Sequence, residues 1–353
     1  MKERNYNLDI IRALAIFFVL SVHFINNSGF LEPEIRGFGS YMMLLAWILS
    51  AAGCVPAFLM LSGYLCSGKK LCAHYYAGIL RVLVPYFFAS LLCLVFREIY
   101  YHQQMDLRYI LSSIVNFYAC EYAWYVMLYI GLFLMIPFLN IMYYALGTRR
   151  RKLGLIATFF ALSILPSLLN SYIQLCSVWW KNLYPITYYL IGAYLGEYKP
   201  RLSSGKALLL CCALLALFGV YDVFHLARDG SLVPGIGYDH HQVMVVGVLL
   251  FIALHNLRIS KTTGVPAFCI RKLSELSFSI YLLSWVSDGL IYPVLVRLIP
   301  EYTARYIWWG PTVALSLLMS AVMSQLMELV CIPCDRALRK LLLGRISPAE
   351  RKS

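Results

Sequence analysis

The sequence predicts an all-α membrane protein, a polytopic helix bundle of about ten transmembrane helices with both termini in the cytoplasm. Of its 353 residues, 61% are hydrophobic and only 13% are charged, whereas soluble domains carry roughly 25% charged residues. Apolar stretches alternate with short polar connections along the whole chain. These two observations predict the fold class, and the distribution of positive charge predicts the orientation.

Hydropathy places the ten spans at about 8–27, 40–65, 82–99, 123–145, 153–170, 183–198, 207–224, 241–257, 274–296 and 306–330. The segment 108–122 fits either an interfacial helix or part of a span. Residues 1–334 are predicted to form a single transmembrane domain, since no soluble domain remains outside the spans. Residues 335–353 form a basic cytoplasmic tail, expected to lie on the inner leaflet. The first span lacks a small-residue cleavage site, which favours a retained helix over a signal peptide.

With a cytoplasmic N-terminus, 22 of the 30 lysines and arginines lie on the cytoplasmic side and 7 on the opposite side. This asymmetry follows the positive-inside rule. The net charge of +13 is therefore explained by orientation and by contact with anionic membrane lipid, and no nucleic acid partner is expected. The cysteines lie mostly in apolar runs and do not suggest a disulfide framework. Cys331 and Cys334 lack a second pair for a zinc site, and no metal or bound cofactor is expected.

The first span carries three ionisable residues, Asp9, Arg12 and His23. A charge inside the bilayer costs about 2.5–3.5 kcal/mol on insertion scales, so such residues usually face a cavity or a partner. At about 100° per residue, Arg12 and His23 share one helix face and lie about 16 Å apart along the axis. Snorkelling explains Arg12 alone but not His23, which lies past the midpoint. Asp9 either orients the Arg12 guanidinium or places a favourable charge at the helix N-terminus.

Six segments in chain order resemble the acyltransferase-3 family of integral membrane acyltransferases. The hallmark Arg-x10-His is present as RALAIFFVLSVH at 12–23. The other matches are VPAFLMLSGYL (55–65), ILRVLVPYFF (79–88), WYVMLYIGLFLMIPFLN (124–140), ITYYLIGAYLGE (186–197) and LSELSFSIYLL (273–283). The resemblance covers nearly all of the chain.

This resemblance implies a membrane-bound O-acyltransferase of the bacterial cytoplasmic membrane. Such an enzyme moves an acyl group, commonly acetyl, from acyl-CoA to a hydroxyl of an envelope carbohydrate or a lipid-linked sugar. It belongs to the acyltransferases that transfer groups other than aminoacyl groups. His23 is then the catalytic base or the transient acyl carrier, and Arg12 is its catalytic companion that holds a phosphate, a carboxylate or an oxyanion. The acyl group, the acceptor and the oligomeric state stay open.

The same matches suggest substrate-binding residues. Ser62 and Tyr64 lie beside a glycine that allows close backbone approach, and helix packing explains that glycine equally well. Trp124 and Tyr125 fit an aromatic belt at the outer interface or a surface that stacks on a sugar. Arg81 begins the third span.

The chain also departs from the family pattern. Family members often carry a second arginine before the third span, where Ala77 and Gly78 stand here, and a histidine after Ile-Tyr-Leu, where Leu283 and Ser284 stand. The missing histidine leaves Ser284, Ser287 or Asp288 as possible substitutes. Asp288 is in any case an intramembrane carboxylate, which is functional by default unless a neighbouring cation simply neutralises it.

For the remaining polar residues, the sequence predicts structural rather than catalytic roles. Glu328 is expected to pair with Arg336 or Arg339, and Asp222 and His225 to be interfacial. His240 and His241 with Asp239 offer only a weak metal or acceptor site, since adjacent residues rarely point at one ion.

A transporter is the alternative function, for example one for amino-acid or serine uptake, like the membrane part of vancomycin-type serine racemases. Transporters often show broken helices in paired repeats. Here Gly53 with Pro56 and Pro137 are isolated and show no evident symmetry. A scaffold of envelope synthesis is a third class, and it leaves His23 unexplained.

Overall fold

The computed structural model describes residues 4–29, 37–170, 174–229, 237–259 and 263–344, with side chains described except at 37–40 and 226–229. This part of the chain is helical and contains no strand, as predicted. Its helices in chain order are α1 (Tyr6–Asn27), α2 (Gly37–Gly53), α3 (Val55–Cys66), α4 (Ala73–Tyr76), α5 (Leu80–Tyr101), α6 (Leu107–Val115), α7 (Trp124–Ala145), α8 (Arg149–Ser163), α9 (Pro166–Leu169), α10 (Tyr184–Glu197), α11 (Ser204–Asp229), α12 (His241–His255), α13 (Val265–Leu298) and α14 (Trp309–Gly344).

The chain divides into two compact units. Unit 1 comprises residues 1–67, 145–275 and 294–313, and unit 2 comprises residues 68–144, 276–293 and 314–353. Unit 1 therefore contains α1 to α3, α8 to α12, both ends of α13 and the start of α14. Unit 2 contains α4 to α7, the middle of α13 and most of α14.

Eight helical segments of the described residues are long and apolar enough to cross a membrane: Tyr6–Asn27, Tyr41–Cys66, Ala73–Tyr101, Glu121–Ala145, Arg149–Leu169, Ser204–His225, Val265–Leu298 and Thr303–Gly344. They match eight of the ten predicted spans. The predicted spans 183–198 and 241–257 correspond to the shorter helices α10, of 14 residues, and α12, of 15 residues. At 1.5 Å per residue these two helices measure about 21–23 Å, which is less than the roughly 30 Å of hydrocarbon.

Helix α10 is a core helix of unit 1, which explains why its sequence resembles a span. Ten of its 14 residues are buried, and a helix that is apolar all round is equally typical of a protein core and of a membrane span. It packs mainly against α3. Gly63 of α3 and Gly192 of α10 allow this approach, since a Cβ at Gly63 would collide with the carbonyl oxygen of Tyr189 and one at Gly192 with that of Met60. Small residues permit such close helix packing.

Helix α1 starts and ends at well-formed caps. The side chain of Asn5 accepts a hydrogen bond from the backbone N–H of Asn7 (3.1 Å), and Asp9 lies in the first turn. At the other end, the N–H of Ser28 donates to the carbonyl of Phe24 (2.9 Å). Gly29 follows with φ +79°, a left-handed conformation that glycine adopts without strain.

The second span bends at Cys54, between α2 and α3. Cys54 has φ −92° and ψ −97°, and Pro56 at the start of α3 has no N–H to donate. Gly247 of α12 lies close to this bend, because a Cβ there would be 2.8 Å from the carbonyl oxygen of Ala52. The predicted Gly53–Pro56 interruption is therefore a local kink in unit 1.

In unit 2, most of the segment 108–122 lies outside the candidate spans, and only its last two residues belong to Glu121–Ala145. It contains the separate helix α6, whose Leu107, Leu111 and Val115 are exposed on one side. The predicted tail begins as a continuation of α14, which runs to Gly344, and residues 345–353 lie outside the described part of the chain.

Candidate functional site

Arg12 is held by a hydroxyl that the sequence analysis did not single out. The Arg12 guanidinium Nη1 donates to the Ser274 Oγ (3.2 Å), and that hydroxyl donates to Asp9 Oδ1 (2.7 Å). Asp9, only 4% exposed, also accepts two hydrogen bonds from Arg4, at 2.6 and 2.9 Å. Asp9 thus lies in the first turn of α1 and shares the Ser274 hydroxyl with Arg12, and its role in the site stays a prediction.

Arg4 closes this network at its exposed side. Its guanidinium bonds to Asp9 and to Glu275 (2.8 Å), so two arginines face one buried carboxylate and one exposed carboxylate. A buried carboxylate is stable only when its oxygens are hydrogen-bonded and its charge is paired. Arg4 and Ser274 meet that requirement for Asp9. The guanidinium of Arg12 consequently lies in a fixed position at the Asn5 end of the helix.

His23 lies eleven residues further along the same helix and is buried, with 8% exposure. The helical spacing places it on the face of Arg12, about 16 Å along the axis. Its carbonyl oxygen accepts a hydrogen bond from the Asn27 side chain (2.8 Å) in the last turn. A buried imidazole is chemically suited to take and return a proton.

A second arginine fixes the other end of α1. Arg305, 7% exposed, donates to the carbonyl of Ser28 (2.8 Å) and to those of Ile299 (2.7 Å) and Pro300 (2.7 Å). A cation is favourable at a helix C-terminus because the last carbonyls are unpaired. Arg305 therefore anchors the end of α1 that carries His23, and its role could not be read from the sequence, where it appears only as one of the outer positive charges.

A family model of the acyltransferase domain, acyltransferase-3, matches residues 5–325, which is nearly the whole chain. The chain belongs to the acyltransferase-3 family. No curated protein and no solved structure that was compared gives a match. Membership in this family, together with the apolar helices, makes the protein a multi-pass membrane acyltransferase.

Two residues matched to the family, Ser62 and Tyr64, lie on α3 in unit 1. The Ser62 hydroxyl donates to the carbonyl of Phe58 in its own helix (2.9 Å). The Tyr64 hydroxyl meets His255 Nε2 at 3.2 Å, and the two rings lie 5.3 Å apart. The glycine between them packs against α10, so this motif has a packing role. Substrate binding by Ser62 and Tyr64 stays a prediction.

The other residues that the family motifs predicted for the site of this acyltransferase lie in unit 2, on α5, α7 and α13. Arg81 is exposed at the start of α5. Trp124 is 38% exposed, whereas Tyr125 is buried and its N–H donates to the Tyr281 hydroxyl (3.3 Å). Their binding roles also stay predictions.

Ser284, Ser287 and Asp288 were the predicted substitutes for the histidine that family members carry after Ile-Tyr-Leu. The three side chains differ in their hydrogen bonds. The Ser284 hydroxyl donates to the carbonyl of Tyr281 in its own helix (2.8 Å). Asp288 is 3% exposed and accepts from Ser316 (2.7 Å) and Tyr122 (3.1 Å). Ser287 contacts Ser316 (3.1 Å) and Ser320 (2.7 Å). Asp288 and Ser287 thus join one hydroxyl network, whereas Ser284 bonds to its own backbone.

The expected ion pair of Glu328 with Arg336 or Arg339 is not formed. Glu328 accepts a hydrogen bond from Ser279 (2.6 Å) rather than pairing with an arginine, and Arg339 contacts Asp335 (3.7 Å). Asp222 and His225 are buried within unit 1, and the side chain of Gln242 donates to Asp222 (2.7 Å). Their location at the membrane interface stays a prediction.

Of the two adjacent histidines, His240 is buried and His241 is half-buried. Burial lowers the pKa of His240 to about 3, and the charge of His241 acts in the same direction, so His240 is neutral at physiological pH. His241 contacts the hydroxyl of Ser167 (3.1 Å). No group of three His, Cys, Asp or Glu side chains suited to a metal ion occurs among the described residues.

Proposed function

We propose that the protein is an O-acyltransferase of a bacterial cytoplasmic membrane that moves an acetyl group from acetyl-CoA to a hydroxyl of an envelope carbohydrate or lipid-linked sugar. The observation that carries the proposal is the Arg12–His23 pair. Both residues lie on one helix of a chain that matches the acyltransferase family, and α1 is anchored at both ends. Acyl-CoA is a co-substrate, and membrane lipid surrounds the enzyme.

The arrangement supports separate roles for the two residues, with Arg12 binding the donor and His23 acting at the acyl group. Arg12 offers a permanent, oriented charge for a phosphate of CoA at the Asn5 end of α1. His23, about 16 Å deeper, meets the acyl end. The offset lets the thioester enter from the Arg12 side while the acceptor hydroxyl reaches His23 from the other side.

The chemistry balances with these two residues. Neutral His23 takes the proton of the acceptor hydroxyl as the oxygen attacks the thioester carbonyl. A C–O bond forms, the C–S bond breaks, and the CoA thiolate leaves and is protonated. In the second form of the mechanism, the His23 ring nitrogen first takes the acyl group and then passes it to the hydroxyl.

The test uses inverted membrane vesicles and radiolabelled acetyl-CoA. Wild type is expected to transfer label to protein or glycan, and His23→Ala to abolish transfer while still binding acetyl-CoA. His74→Ala, which removes an exposed histidine, is the matched control and should transfer label normally. Full transfer by His23→Ala would refute the proposal.

A transporter for a small solute such as serine is the second candidate, and the kink at Cys54 favours it. Broken helices line substrate sites in many transporters. Solute uptake by reconstituted protein, with no label transferred in the experiment above, would select this function.

A further inference from the structure

Two cysteines of unit 2 lie against each other in the protein interior. Cys93 is on α5 and Cys120 precedes α7, and both are completely buried. Both are free thiols in the structure, and they are hydrogen-bonded to each other. The Cys120 Sγ also donates to the carbonyl of Leu282 (3.2 Å). A disulfide needs two cysteines whose Cβ atoms point toward one another, and thiols that share a hydrogen bond satisfy this condition.

Contacts on both sides of the pair hold the loop before α7 against α5. Tyr86, which precedes Cys93 on α5, donates its hydroxyl to the carbonyl of Ile114 (2.6 Å). Arg97, which follows Cys93, donates to the carboxylate of Glu121 (3.1 Å). At about 100° per residue, Tyr86, Cys93 and Arg97 share one face of the helix. The contact between the two thiols therefore follows from the docking of a whole loop on this face.

The pair lies toward the side of the membrane that is predicted to be outside. With a cytoplasmic N-terminus, the connection between the third and fourth predicted spans is on the outer side, and Cys93 lies about 12 Å from the end of α5 at Tyr101. Thiols are oxidised in extracellular and periplasmic compartments and kept reduced in the cytoplasm. Cys331 and Cys334, in contrast, lie at the predicted cytoplasmic end of the tenth span.

A bond between Cys93 and Cys120 would have a structural effect that packing alone does not. Reactivity rather than packing distinguishes cysteine from other small apolar residues. The bond would close a loop of residues 93–120 that contains α6, and closing a loop stabilises the fold by restricting the unfolded chain. The loop leads directly to Tyr122, whose hydroxyl donates to Asp288 (3.1 Å). A disulfide would therefore hold this part of unit 2 in place.

We propose that Cys93 and Cys120 form a disulfide in the cell and that this bond locks the loop before α7 onto α5. The oxidant is a thiol oxidase of the outer compartment that carries a disulfide of its own. The proposal goes beyond the proposed function and holds equally for a transporter.

The exchange runs through a mixed disulfide. The thiolate of one cysteine attacks the disulfide of the oxidase, whose S–S bond breaks and frees one oxidase thiol. The second cysteine then attacks the mixed disulfide, so that the Cys93–Cys120 bond forms and the other oxidase thiol leaves. The two cysteines lose two electrons and two protons, and the oxidase gains them as a dithiol. The exchange takes place before the loop docks, because the docked thiols are completely buried.

Tryptic peptides report the bond directly, because trypsin cuts after two arginines that lie between the two cysteines. Cys93 falls in peptide 82–97 and Cys120 in peptide 109–149, and neither peptide contains another cysteine. Membranes from a host with an oxidising periplasm are denatured in N-ethylmaleimide to block free thiols, digested without reductant and analysed by mass spectrometry. The two peptides of wild type are expected to be linked and to separate on reduction.

Two controls accompany this measurement. Cys331 and Cys334 of the same protein should be alkylated, because they are predicted to face the cytoplasm. Cys211→Ser removes a buried cysteine outside the pair and should leave the peptides linked. Cys93→Ser should leave Cys120 alkylated, and so should wild type from a host that lacks its periplasmic thiol oxidase.

A second measurement tests the lock. Reduction should lower the thermal midpoint of wild type in detergent by about 5–10 °C, and it should not change the midpoint of Cys93→Ser. Full alkylation of Cys93 and Cys120 in wild-type membranes, or a wild-type midpoint that reduction leaves unchanged, would overturn the proposal.

Discussion

At the scale of single residues, the Arg12 site depends on one hydroxyl. Ser274 accepts from Arg12 and donates to Asp9, so it links a cation to a buried carboxylate that Arg4 already neutralises. An arginine that must hold a phosphate or an oxyanion needs a fixed direction more than extra charge. In the proposed mechanism, Ser274 is therefore a positioning residue.

Replacing Ser274 tests that role. Ser274→Ala should raise the KM for acetyl-CoA about tenfold with a smaller change in kcat, because a hydrogen bond to a charged group contributes about 1.5–3 kcal/mol. Ser274→Thr keeps the hydroxyl and should retain the wild-type KM. Steady-state kinetics over a range of acetyl-CoA concentrations measure both. A kcat loss with no change in KM would contradict the positioning role.

At the scale of elements, unit 1 is organised around a short helix that is buried on nearly all sides. α10 meets α3 at Gly63 and Gly192, where the two backbones come closer than any side chain allows. Core helices of this kind have the hydropathy of a membrane span because protein interior and lipid are both apolar. Hydropathy therefore assigned spans to α10 and α12, which with 14 and 15 residues are shorter than the hydrocarbon core.

Gly192→Ala should destabilise the protein by about 1–3 kcal/mol, the usual cost of overpacking. The added methyl would collide with the backbone of Met60, which cannot move aside as a flexible side chain does. Gly154→Ala on α8 is the control, since nothing lies within 4 Å of its Cβ. Thermal unfolding in detergent compares the two. An unchanged midpoint for Gly192→Ala would mean that α3 and α10 can separate at little cost.

At the scale of the whole molecule, the positive charges predict an orientation. The basic run at the start of α8 is predicted to be cytoplasmic, and Lys181 to lie on the outer side. In a cysteine-free background, Lys181→Cys in intact cells should react with a membrane-impermeant maleimide. Arg150→Cys should react only after the membrane is opened. The opposite labelling pattern would invert the topology and the entry side for acyl-CoA.

Much of the protein could be predicted from the sequence. Composition and apolar run length determine the helical membrane class, since a bilayer accepts few other structures. The cost of ionisable groups in a span singled out Asp9, Arg12 and His23, and the ordered motifs indicated the family that the comparison confirmed. These features are local, and neighbouring residues in the chain are enough to reveal them.

Only the tertiary structure decided which distant residues complete these features. Ser274 reaches Asp9 across 265 positions and Arg305 reaches Ser28 across 277, and neither residue type is distinctive in its own segment. The span count likewise depended on where the helices begin and end, since α10 and α12 have only 14 and 15 residues. The physical reason is the same in each case: hydropathy records that a residue avoids water, whereas packing determines what it meets instead.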